Sequence, residues 1–153
     1  MKIKLITAAI CMLSLTTFAQ SEGDENLAIF NGYYYSQEYQ VYFRLNLSEQ
    51  GMEVPNHELL GNMPGYLAKN HNNFYWLITD WKYSKAHKKS KAPTIDLSLI
   101  NDYGSEDFTA TLQKINDSIY SFKQTEGNVL KIPNNGKWQK LPKELLFKKK
   151  WMT

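Results

Sequence analysis

The sequence predicts an all-β domain: a small antiparallel up-and-down β-barrel, with a β-sandwich as the alternative. Three observations predict it. Apolar and polar residues alternate in run after run, turn-forming residues separate the runs, and no long segment carries a helical period. A meander of eight or nine short strands must close or stack into two sheets to dispose of its edges.

The first element is not part of that domain. A basic start, Met1-Lys2-Ile3-Lys4, precedes an uncharged, largely apolar run of 14 residues from Leu5 to Phe18, then Thr17-Phe18-Ala19 and the polar, acidic Gln20–Glu25. That order is the signature of a secretory signal, and the run is short of the about 20 apolar residues a spanning helix needs. The expectation is a signal peptide over 1–19 cleaved after Ala19, a flexible acidic lead-in over 20–28, and a single β domain over 29–153. It carries no transmembrane anchor and is periplasmic or secreted. Cys11, the only cysteine, lies inside the signal behind Ile10, which argues against lipid attachment. The processed chain is therefore cysteine-free, which excludes disulfides, a thiolate nucleophile and cysteine-ligated metal. Core packing alone must hold it. Asn46-Leu47-Ser48 and Asn116-Asp117-Ser118 fit the glycosylation pattern and matter only in a eukaryotic route.

Loss of Lys2 and Lys4 leaves 16 basic against 15 acidic residues, a net charge of +1, which argues against a nucleic-acid partner. The charge is unevenly spread. Residues 21–60 hold seven carboxylates against Arg44, whereas 61–153 hold 15 lysines against eight carboxylates. The halves are expected to fold together and partly cancel.

Ile29–Tyr35 is predicted to be a strand, and its Gly32 marks a bulge or a close approach. In 37–47, Tyr39, Val41, Phe43, Leu45 and Leu47 alternate with polar residues, which predicts a half-buried strand. Met63–Lys69 follows the turn chemistry of Gly61–Gly65 and pairs with Phe74–Thr79, whose FYWLIT is apolar on both parities, as for a strand covered on both faces. Thr94–Ile100, Asp107–Ile115, Ser118–Gln124 and Val129–Ile132 read as a four-stranded meander. Lys143–Trp151 is either a short helix opened by Pro142 or a closing strand. Together with Gly32-Tyr33-Tyr34 and Thr79-Asp80-Trp81, this order resembles the calycin or lipocalin-like barrels, although Thr79-Asp80-Trp81 comes earlier than in that family.

No motif carries recognisable chemistry. His57, His71 and His87 lie far apart in polar turns and read as solvated loop histidines; none is part of a ligand-spaced pair, so no metal or cofactor is expected. Asp80, Asp96, Glu106 and Asp107 are the carboxylates a hydrolase could use, but pairing depends on spatial separation.

The most distinctive stretch is Trp81–Lys91, with five lysines and two aromatics between two strands. Trp81, Lys82, Tyr83, Lys85, His87 and Lys88 are expected to form a basic aromatic loop that enters a partner's cleft. Tyr42 joins them as a candidate because it falls on the polar parity of its strand, and Tyr34 and Tyr75 are expected to turn away from the main core as well. Outward tyrosines supply rigid contact area. The expected function is an exported, non-enzymatic binding or inhibitor module, in the manner of an immunity protein, acting on a protein or an anionic envelope component. A small-molecule carrier using the barrel interior and a carboxylate-based cell-envelope hydrolase are the alternatives.

Overall fold

The computed structural model describes residues 26–85 and 92–150; the segment expected to be a signal peptide, most of the expected lead-in, His87 and Lys88 lie outside them. Ten strands form. They are β1 (Gly32–Ser36), β2 (Val41–Leu45), β3 (Gly65–Lys69), β4 (Tyr75–Ser84), β5 (Thr94–Asn101), β6 (Asp107–Lys114), β7 (Ile119–Gly127), β8 (Lys131–Asn134), β9 (Lys137–Lys140) and β10 (Glu144–Lys150). Eight close into an antiparallel barrel in the order β1-β10-β7-β6-β5-β4-β3-β2, and β8-β9 is a separate hairpin. Among the described residues no helix is long and apolar enough to cross a membrane.

Period-two burial builds the interior. Val41, Phe43 and Leu45 of β2 are buried while Tyr42 and Arg44 between them are not, and Ile95, Leu97 and Leu99 of β5 repeat the pattern. Aromatic rings run across the lumen: Tyr34 stacks on Phe43 at 4.2 Å, Phe43 meets Phe147 at 4.7 Å, and Trp76 meets Phe108 at 5.0 Å. The centre of the barrel is thus occupied by side chains. The ambiguous tail is resolved as a strand. β10 alternates buried Leu145, Phe147 and Lys149 with exposed neighbours and closes the barrel between β7 and β1.

Several expectations need correction. The strand foreseen over 37–47 is only Val41–Leu45, because residues 37–40 form the β1–β2 turn with Gln40 at φ 54°; Tyr39 sits in that turn, half-buried against the core. The fourth strand of the 94–132 meander leaves the barrel. β8 pairs instead with β9, an element not foreseen, across an Asn135-Gly136 turn whose two residues both have positive φ, the pattern of a tight hairpin turn. Leu130, Ile132 and Leu141 at its base are buried in the main core, and Lys131 O accepts the Trp76 indole N–H at 2.9 Å. The hairpin plugs one end of the barrel.

A second, smaller core lies outside the barrel wall. The long β2–β3 connection, with a 3₁₀ turn at Glu58–Leu60, folds back over β3 and β4 and buries Val54 against Tyr66, Ala68, Tyr75 and Leu77. This is why FYWLIT is apolar on both parities. Trp76 and Ile78 face the lumen, and Tyr75 and Leu77 face the connection. Gly32 marks the foreseen close approach, since a Cβ there would stand 2.8 Å from Lys149 Cε.

Candidate functional site

The five candidate residues that the structure describes, Tyr42, Trp81, Lys82, Tyr83 and Lys85, lie in two separate places. β3 pairs with β4 only as far as Gly65↔Ile78, whereas the β4–β5 ladder continues to Ser84↔Thr94. The last six residues of β4 therefore run past β3, laddered to β5 alone, while β5 stays paired with β6 on its other side. A bulge at Thr79, where the register shifts between Ile78 and Asp80, reverses the parity of everything beyond it. Trp81 and Tyr83 consequently turn inward, opposite Leu97 and Ile95, and pack on the core, with Tyr83 edge-on to Phe30 at 6.4 Å. The foreseen aromatic loop is thus corrected: Trp81, Lys82 and Tyr83 are strand residues, and the two aromatics brace the hairpin from inside.

The outer side of the hairpin presents the charge. Lys82 is exposed and opposite Asp96, which accepts Thr111 Oγ1 at 2.6 Å, and Lys85 is exposed just past the end of β4. His87 and Lys88 lie outside the described residues. Among the candidate carboxylates, Asp80, Asp96 and Asp107 are exposed, and Glu106 is tied to Lys131 at 2.7 Å. The four do not form one acidic centre.

Tyr42 belongs to the other surface. It sits level with Tyr75, about seven residues up the barrel from Lys82, or roughly 20 Å at strand rise. There it stacks on Tyr33 at 5.5 Å and meets Tyr66 at 6.1 Å; Tyr66 meets Tyr75 at 5.4 Å and Tyr75 meets His57 at 5.3 Å. Burial, aided by the neighbouring phenols, pushes the Tyr42 hydroxyl up to about 12. Tyr75 does turn away from the main core, but under the β2–β3 connection. Tyr34 does not. It is fully buried in the lumen and donates to Phe30 O at 2.7 Å.

Sequence reasoning missed His57, which is not a solvated loop residue. Its ring lies edge-on to Tyr75, its Nδ1 is 2.9 Å from Pro55 O, and its Nε2 is 3.7 Å from Asp102 Oδ2, which accepts the Tyr75 amide at 3.2 Å. At 3.7 Å the pair is an electrostatic approach, not a hydrogen bond, and it seats the connection on the barrel rim. No sequence signal links residues 57 and 102, because their meeting depends on the fold-back. Among the described residues, no group of three His, Cys, Asp or Glu side chains could hold a metal ion.

Comparison with protein-family models, with curated proteins and with solved structures finds no match.

Proposed function

We propose that this chain is an exported, non-enzymatic binding module that engages an acidic partner, a protein or an anionic envelope component, with the outer side of the β4–β5 hairpin. One observation carries the reading: the interior is occupied by its own aromatic side chains, while the last part of β4, braced from inside, runs past the end of β3 with Lys82 and Lys85 exposed on it. Inhibitors and immunity proteins need a rigid scaffold carrying a charged contact surface, because pre-ordering reduces the entropy lost on docking. The carrier alternative draws no support from a filled lumen.

The test is capture of a stoichiometric, salt-sensitive complex from the host's periplasmic or culture fluid. Wild-type protein is expected to capture it, and the double change Lys82→Glu, Lys85→Glu to lose it with an unaltered circular dichroism spectrum. Equal capture by both proteins, or none by either, would sink the proposal. The hydrolase alternative now rests on the His57–Asp102 approach and a different prediction: His57→Ala abolishes turnover of a wall-derived substrate without unfolding the chain.

A further inference from the structure

The end of the barrel opposite Lys82 carries an open aromatic groove that the proposed function does not use. Its volume is about 390 Å³, and it is lined by Asn72, Asn73, Phe74, Tyr103, Lys137 and Trp138. Three segments build it: the β3–β4 turn, the β5–β6 turn and the tip of the β8–β9 hairpin. Phe74 is the buried floor. Tyr103, 76% exposed, lies against it at 5.7 Å, and Trp138, 51% exposed, meets it edge-to-face at 4.9 Å.

The three segments are tied to one another. Lys131 Nζ bonds Glu106 at 2.7 Å and lies 5.3 Å over the Trp138 ring, joining the hairpin to the β5–β6 turn, while the Trp76 indole donates to Lys131 O. Asn72 Oδ1 accepts the Phe74 amide at 2.8 Å, which fixes its side chain. A pre-arranged pair of exposed rings over a buried third ring is an exposed apolar patch of the kind that marks binding sites.

We infer that this groove is a saccharide subsite. An open groove cannot enclose an apolar ligand, which needs most of its surface buried for affinity. A pyranose needs less. Its C–H-bearing face is weakly electropositive and matches the negative face of an aromatic ring, which Tyr103 offers with Trp138 as the second wall. Its rim hydroxyls match neutral amides such as Asn72 and Asn73. Of the cations near it, Lys131 is held by Glu106, and Lys137 lines the groove as a donor for a sugar hydroxyl.

The inference is independent of the charged hairpin, and its test keeps the two apart. Full-length processed protein is titrated with β-linked glucose and N-acetylglucosamine oligosaccharides, followed by tryptophan fluorescence and calorimetry. A saturable response is expected. Trp138→Ala and Tyr103→Ala should each weaken it about tenfold or more, Trp138→Phe should keep most of it, and Lys82→Glu with Lys85→Glu should leave it unchanged. Tyr103→Ala lies on an exposed turn, so the test survives even if Trp138→Ala disturbs the hairpin. The inference is overturned if no saccharide saturates, if both alanine variants bind like wild type, or if a mononucleotide binds more tightly than every sugar.

Discussion

Lys149 is 5% exposed and points into the barrel's lower end, where its Nζ donates to Ile29 O at 2.7 Å and lies over the rings of Tyr34 and Tyr120 at 5.6 and 5.7 Å. Burial lowers its pKa from 10.5. The folded chain therefore holds fewer protons than the unfolded chain in the range below 10.5, and stability climbs as pH rises through that window. The buried phenols act in the opposite sense. Burial raises Tyr34, and raises Tyr42 from 10.0 to about 12, so their contribution is complete below 10.0 and is lost as pH climbs toward the folded values. Denaturant midpoints for wild type should rise toward about pH 10 and fall beyond it. Lys149→Met should abolish the rise, keep the alkaline fall, and equal or exceed wild type at neutral pH, since a similar stem replaces a charge held away from water. Ile29 O still accepts from Tyr120. A parallel pH profile for the variant would show that the ammonium is not the group responsible.

At the scale of elements, two sites decide whether strands can come together. Gly65 pairs with Leu45, and a Cβ there would collide with the Arg44 carbonyl oxygen, a backbone atom that cannot swing aside. Gly65→Ala should cost about 3 kcal/mol or more, measured by chemical denaturation. Ile132, 1% exposed, is the hairpin's plug residue. Ile132→Ala should cost about 2–4 kcal/mol although its strand is outside the barrel, whereas Ile115→Ala, 56% exposed on a turn, should stay within about 0.5 kcal/mol. Equal small effects at both isoleucines would mean that the hairpin only rests on the barrel. Much of this architecture was legible. Alternation in β2 and β5 fixed the inward faces, and the double parity of FYWLIT announced a strand covered twice. The β8–β9 hairpin was missed although Asn135-Gly136, between Lys131-Ile132 and Trp138, is the local signal for it. The orientation of Trp81 and Tyr83 was not legible, because a single bulged residue at Thr79 inverts the pleat and nothing in the local sequence marks it. Trp138, Tyr103 and Phe74 come from three distant segments, so the groove they form exists only in the fold.

At the scale of the whole molecule, the barrel closes through its shortest ladder. β1 meets β10 only at Tyr33↔Lys150, Tyr34↔Lys149 and Tyr35↔Lys148, against seven paired positions between β5 and β6 and eight between β4 and β5. What holds the seam is inside it. Tyr34 and Phe43 stack on one side, Phe147 packs against Phe43 and Phe122 on the other, and Lys149 and Tyr120 both grip Ile29 O. Backbone ladder and side-chain staple are thus separable. Local opening draws on the least-supported hydrogen bonds first, so amides of Tyr33, Tyr35, Lys148 and Lys150 should exchange with solvent about 100-fold or more faster than those of Leu97, Leu99, Ala110 and Leu112. Phe147→Ala, which removes the staple at a cost of about 3–5 kcal/mol, should bring the slow amides down to meet the fast ones. If the seam amides are as protected as the β5–β6 amides in wild type, closure is backbone-driven and the aromatic staple has been overvalued. The same division matters for binding. The β4–β5 hairpin and the Trp138 groove both rest on the strongly laddered half of the barrel, so seam opening should leave either surface in place.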